Sequence, residues 1–113
     1  MSSEREISRQ KIAGIAKSMM DGSVRPLLGV RGALRFLQDL QREIDPQIYN
    51  LFRAVESETD GLPIGPERAY WATEPLQKKD EIADKYEAQV RDKLMNAAKK
   101  LYLQFSTQNS SQV

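Results

Sequence analysis

The chain has 113 residues, the size of one ordinary domain and enough to bury a single hydrophobic core. Hydrophobic residues make up 40% and charged residues 29%, a balance typical of a folded globular protein rather than a disordered one. The formal net charge is only +1, which excludes a strong overall field that would attract nucleic acid or an anionic membrane.

Two residue types that carry much of protein chemistry are absent. The sequence has no cysteine, which excludes disulfides, thiolate metal sites and cysteine nucleophiles. It has no histidine, so the commonest general base and metal ligand near neutral pH is missing as well. We therefore predict that the protein is not an enzyme, with no catalytic or metal-binding residues and no cofactor.

The sequence offers no sign of a membrane protein. No apolar run approaches the length of about 18 residues that a membrane-spanning helix needs. Residues 1–10 are too polar for a signal peptide. We expect a cytoplasmic protein with no membrane partner.

The first predicted helix covers Glu4–Met20. Ser3 and Glu6 have the spacing of a capping box at its start, and Gly22 suits the left-handed conformation that ends a helix. Gly14 lies inside it, either because another helix passes close or as a tolerated glycine. The residues predicted to face the core recur at helical spacing: Ile12, Ile15, Ala16 and Met19.

The second predicted helix starts between Pro26 and Val30 and ends near Ile44, on a continuous apolar stripe. Its early glycines, 29 and 32, indicate an end that is either frayed or packed closely against a neighbour. Asp45 and Pro46 then form a strong helix start, because Asp caps and proline suits the first helical position. The third helix runs to about Glu58, so we predict almost no connection between the second and third helices.

Arg31, Arg35 and Arg42 fall on one flank of the second predicted helix, with Gln38 between them. Such a stripe can contact phosphate or an acidic partner. The alternative is a solvated face with local ion pairs, which we favour because Asp39 and Glu43 lie beside it. We accordingly do not favour nucleic acid as the partner.

Glu56, Glu58 and Asp60 form an alternating acidic cluster, and Glu67 follows closely. Clustered carboxylates can hold Mg²⁺ or Ca²⁺. On a helix, however, residues two apart point to different faces. We favour a solvated helix end over a metal site.

Residues 60–71, which we call the 60–71 segment, combine turn residues with apolar ones. Leu62 and Ile64 predict that the segment packs against the core, and Pro66 predicts a short helix over residues 67–72. Trp71, the only tryptophan, has two interpretations. We favour a core or lid residue over an interaction residue.

The last predicted helix is the longest, over residues 74–105, with Thr73 as its cap. About thirty helical residues span about 45 Å, more than the width of about 35 Å expected for a domain of this size. The helix should therefore overhang, kink or pack on a second copy, which suggests a homodimer through it. Residues 106–113 are polar, and we predict a disordered tail.

Glu87 interrupts the apolar stripe of the last predicted helix. It is either a buried carboxylate with a raised pKa or an exposed residue on a helix that projects past the core. We favour the exposed position.

Residues 21–32 (DGSVRPLLGVRG), residues 59–63 (TDGLP) and Trp71 together resemble one group of small bacterial all-helical proteins of unknown function. The resemblance covers about residues 7–103. It implies an all-helical fold and a bacterial or phage-like origin, and it supplies no catalytic residue.

The sequence thus predicts one all-α domain over residues 1–105, a bundle of four main helices plus a short fifth. Its predicted function is that of a non-enzymatic protein-binding module, such as an immunity, antitoxin-like or adaptor protein. The alternatives are a small carboxylate- or metal-dependent enzyme and a weak nucleic-acid binder that uses the arginine stripe. The candidate interaction residues are Arg31, Arg35, Arg42, Glu56, Glu58, Asp60 and Trp71.

Overall fold

The computed structural model describes the backbone of residues 3–110 and the side chains of residues 3–106. This part of the chain contains helices and turns but no strand, which confirms the all-α class. The predicted short fifth helix is a single 3-10 turn, Pro66–Tyr70. The four α-helices are α1 (Glu4–Met20), α2 (Pro26–Asp39), α3 (Pro46–Glu58) and α4 (Thr73–Ser110).

The bounds of α1 and α3 are those predicted from their caps. The Ser3 hydroxyl accepts the main-chain N–H of Glu6 at 3.1 Å, and the Asp45 carboxylate accepts that of Gln47 at 2.9 Å. Gly22, just after α1, has a φ of 82°, the left-handed conformation that favours glycine. Local sequence is therefore sufficient to define both helices.

The second helix ends at Asp39, five residues before the predicted end at Ile44. The main-chain N–H of Leu40 bonds to the oxygen of Leu37 at 3.1 Å, and that of Glu43 to the oxygen of Leu40 at 2.8 Å. These tight bonds turn the chain over residues 40–45, so the predicted near-absence of a connection is wrong. The apolar pattern continued because the turn buries Leu40 and Ile44 as a helix would.

The core lies between α1, α2, α3 and the second half of α4. The helix α1 packs along both α2 and α4, and α3 packs mainly on α2. The buried side chains of α3 are Ile48, Tyr49, Phe52 and Val55. The largest fully buried side chains include Ile12, Met19, Leu27, Leu37, Phe52, Leu94, Leu101 and Phe105.

The fourth helix has 38 residues and overhangs the core at its N-terminal end. No residue from 73 to 82 is buried, whereas Ala83 is 2% exposed and Leu94 fully buried. The molecule is correspondingly elongated, measuring 53 × 28 × 24 Å. At the other end α4 continues to Ser110 rather than ending at Phe105, so residues 106–110 of the predicted disordered tail are helical. Residues 111–113 of that tail lie outside the described residues.

Among residues 3–110, no helix is both long and apolar enough to span a membrane.

Candidate functional site

Arg31 binds the 60–71 segment and the end of α3 to α2. Its guanidinium donates to the main-chain oxygens of Thr59 at 2.6 Å and Leu62 at 2.9 Å. It also donates to the carboxylate of Glu67 at 2.8 Å. With its side chain only 24% exposed, Arg31 is neither the solvated residue we favoured nor a free phosphate contact. It is a structural cross-link.

Glu67 also does not act as part of the predicted acidic cluster, because its carboxylate binds other groups. Besides Arg31, its carboxylate accepts the main-chain N–H groups of Ile64 and Gly65, both at 3.2 Å. The main-chain N–H groups of Glu67 itself and Gly65, helped by Arg31, lower the pKa of the Glu67 carboxyl from 4.5 to about 2. The donors of Arg31, Ile64 and Gly65 all bind Oε1, so this carboxylate holds the loop in place.

Arg68 attaches the other side of the 60–71 segment to α4. Its guanidinium donates to both carboxylate oxygens of Asp80, at 2.5 and 3.0 Å, and to the main-chain oxygen of Pro63 at 3.1 Å. The Arg68 guanidinium also lowers the pKa of the Asp80 carboxyl. Two arginines therefore hold the segment between α2 and α4.

Trp71 is not a core residue, so the core part of the favoured interpretation is wrong. Its exposed fraction is 37%, and that of neighbouring Tyr70 is 91%. Leu62 and Ile64 are buried, so the prediction that the segment packs against the core is confirmed for its first half. Trp71 is therefore available for an interaction.

The three remaining acidic candidates, Glu56, Glu58 and Asp60, are exposed. Within the part of the chain that the structure describes, no three acidic residues lie close enough together to hold a metal ion.

The predicted arginine stripe is not continuous. Arg35 is exposed, with its guanidinium carbon 5.7 Å from the ring centre of Phe36. Arg42 is also exposed, but it lies in the turn after α2 instead of on the helix. Asp39 accepts a hydrogen bond from the Ser8 hydroxyl at 3.0 Å, which ties α1 to α2.

The favoured exposed position for Glu87 is wrong. Its side chain is only 15% exposed and is bonded to α2. It accepts Nε–H of Arg25 at 3.0 Å and the main-chain N–H of Leu27 at 3.2 Å. Arg25 is the N-cap residue of α2 and caps no N–H with its own side chain. Glu87 therefore supplies, from α4, the carboxylate cap that α2 lacks in its own sequence.

An apolar groove of about 700 Å³ runs between α1 and α2. Ile15 of α1, Leu28 of α2 and Val24 of the connecting turn provide its apolar walls. Gly14 and Gly32 line it from opposite helices, each without a side chain. The groove is within the size range of about 300–1,000 Å³ that is usual for binding sites.

Packing inside the protein requires glycine at position 29 but not at positions 14 and 32. A Cβ on Gly29 would lie 2.5 Å from Cγ of Met19, so packing inside the protein requires glycine there. A Cβ on Gly14 would have no atom within 4 Å, and one on Gly32 would meet only Cδ1 of Ile15 at 3.8 Å. The fold therefore has room for side chains at 14 and 32, and their absence keeps the groove open.

The rim of the groove is polar and carries a positive charge. Gln10, Lys11 and Ser18 contribute to the lining, and no carboxylate among the described side chains does. Across the described residues, the Lys11 amine has no hydrogen-bond or ion-pair acceptor. The sequence places Gly29 and Gly32 together near the start of α2, and only the pairing of α1 with α2 shows that Gly14 of α1 lines the same groove.

Comparison with known proteins adds no relative, since no family model, curated protein or solved structure matches the chain. The resemblance to a bacterial helical group remains an expectation.

Proposed function

We propose that this chain is a non-enzymatic protein-binding module that holds an amphipathic helix of another protein in the groove between α1 and α2. The observation that carries the proposal is the open apolar groove at 14 and 32. Amphipathic helices commonly bind by laying their apolar face into such a groove. An immunity, antitoxin-like or adaptor role each requires this kind of stable hold on one partner.

The glycines favour a helix as the occupant. A glycine inside a helix costs about 0.5–1 kcal/mol relative to alanine. Gly14 and Gly32 bring that cost without any steric need inside the chain. Glycine at a helix surface lets a second backbone approach closely, so the cost is offset when a partner helix packs there.

The charge of the rim defines the partner further. Among residues 3–106, Lys11 is the only ionisable residue that lines the groove, and no carboxylate there competes with one of the partner. A partner helix with an acidic side chain beside its apolar face would pair with Lys11 while it fills the space between Ile15 and Leu28. We therefore expect apolar residues at helical spacing and one Asp or Glu on the bound segment.

Site-specific photo-crosslinking tests the proposal. A photoreactive residue at position 11 is compared with one at position 99, where Lys99 is exposed on α4. Position 11 should cross-link one host protein, within a helical segment of the predicted pattern, and position 99 should not. A cross-linked segment without helical apolar spacing, or equal cross-linking from both positions, contradicts the proposal.

Binding of the purified partner segment gives the quantitative test. Gly14→Phe fills the groove and Lys11→Glu reverses its charge, so each should weaken binding at least about tenfold (about 1.4 kcal/mol). Lys99→Glu is the matched control and should bind as the unchanged protein does. Circular dichroism confirms that the variants remain helical. Wild-type affinity in Gly14→Phe would overturn the assignment of this groove.

The homodimer through α4 also stays a prediction. Ile82 is 54% exposed on the overhanging half of that helix. Sedimentation velocity of the chain at several concentrations checks the association directly.

A further inference from the structure

We infer that a second hollow, at the turn between α2 and α3, binds a compact anionic group such as a phosphate or a carboxylate. It has a volume of about 540 Å³ and is lined by Arg5 of α1 and by residues 38–43. It is separate from the groove, since the two share no lining residue. This inference stands whether or not the groove binds a partner.

Donors dominate the hollow. Within the described chain, the guanidinium groups of Arg5 and Arg42 have no carboxylate partner, and both side chains are exposed. Gln38 and Gln41 add side-chain amides. Arginine suits phosphate and carboxylate because its planar group donates two parallel hydrogen bonds.

The turn itself adds main-chain donors. Its two hydrogen bonds run from Leu40 to Leu37 and from Glu43 to Leu40. Between them, the N–H groups of Gln41 and Arg42 donate to no acceptor in residues 3–110. Successive free N–H groups in a turn are a common element of anion sites.

Each of the two carboxylates at the hollow binds a side chain of α1, Glu43 through both oxygens and Asp39 through one. Both oxygens of Glu43 are bound by Arg9, with N–O distances of 3.0 and 2.8 Å. Asp39 accepts from Ser8. Because Arg9 takes up Glu43, the guanidinium groups of Arg5 and Arg42 remain for an anion to bind.

The affinity should be modest. The C-terminal end of α2 contributes partial negative charge at the same place, which opposes an anion. Two or three charge-assisted hydrogen bonds, weakened by this partial negative charge, give a dissociation constant on the order of 1 mM.

Amide NMR shifts on titration with inorganic phosphate and, separately, with acetate provide the test, at pH 7 and constant ionic strength. We expect saturable shifts at Gln41 and Arg42 with at least one of the two ions. The ion that saturates at lower concentration identifies the anionic group. Shifts that do not saturate with either ion, or that centre on other residues, overturn the inference.

Matched variants then assign the donors. Arg42→Gln and Arg5→Gln should each weaken binding at least about fivefold (about 1 kcal/mol). Arg53→Gln is the control, because Arg53 is an equally exposed arginine on α3 that lies over the ring of Tyr49. Equal loss in the control, or no loss in both hollow variants, contradicts the site. The amide spectrum of each variant shows that it is folded.

Discussion

Arg31 and Glu67 form an ion pair, with Nη1 and Oε1 2.8 Å apart, that joins α2 to the 60–71 segment. The same guanidinium also binds the main-chain oxygens of Thr59 and Leu62. One side chain therefore closes off the end of α3 and fixes the loop that follows it.

Arg31→Lys should lower the free energy of unfolding by about 1–3 kcal/mol, because an ammonium cannot reproduce a planar fork that reaches three acceptors. Arg35→Lys is the control, since Arg35 is exposed, and its effect should stay within about 0.5 kcal/mol. Urea denaturation of the two variants measures both values. Equal stability of the two would show that the fork contributes nothing.

Acid should release the 60–71 segment. Because folding lowers the pKa of Glu67 from 4.5 to about 2, this carboxylate stabilises the folded state above pH 4.5. The contribution falls as the pH drops from 4.5 and is gone below about 2. Denaturation curves from pH 2 to 6 should show a shallower loss in Glu67→Gln than in the unchanged chain. Parallel pH profiles would contradict the role of Glu67.

Removing the charge of Glu87 should destabilise the start of α2. Glu87→Gln weakens the cap on Leu27 and the pair with Arg25, and a loss of about 1–2 kcal/mol is expected. Glu81→Gln, at an exposed position of the same helix, should change stability by less than about 0.5 kcal/mol. Hydrogen exchange at the first turn of α2 should accelerate only in the Glu87 variant. Unchanged exchange there would rule out the capping role.

Two glycine substitutions should act in opposite directions. Gly14→Ala meets open space and should raise the free energy of unfolding by about 0.5–1 kcal/mol, since alanine is the better helix former. Gly29→Ala forces Cβ against Met19 and should lower it by about 1–3 kcal/mol. Thermal or urea unfolding of the pair checks the signs. A destabilised Gly14→Ala would mean that the groove wall cannot hold even a methyl group.

Trp71→Ala should be mild. A fully buried tryptophan would cost about 3–5 kcal/mol, but 37% of this residue is exposed, and we expect about 1–2 kcal/mol. Because Trp71 is the only tryptophan, the tryptophan fluorescence of the protein comes from this residue alone. Acrylamide should quench that fluorescence readily in the folded protein. A loss above 3 kcal/mol with poor quenching would restore the core interpretation.

Elements set by neighbouring residues could be predicted from the sequence. Ser3 and Asp45 define helix starts through bonds to residues two or three positions away, and both helices have the predicted bounds. The end of α2 could not be found this way, because the buried turn residues Leu40 and Ile44 continue the apolar pattern.

The candidate site depends on contacts that sequence spacing does not show. Arg31 meets Thr59 from 28 residues away, and Glu87 meets Leu27 from 60 residues away. The sequence predicts solvated positions for Arg31 and Glu87, because charge patterns reveal only local neighbours. The groove likewise cannot be predicted from sequence spacing, since Gly14 and Gly32 share a surface only after α1 packs on α2.

The cap on α2 can form only late in the synthesis of the chain. Glu87 lies 60 residues after Leu27, so a ribosome releases the first turn of α2 long before the carboxylate that completes it. Until α4 emerges, the N–H groups at the start of α2 depend on water. Co-translational folding of this chain should therefore leave the α1–α2 pair unfinished, and its groove imperfectly shaped, until most of α4 has been synthesised.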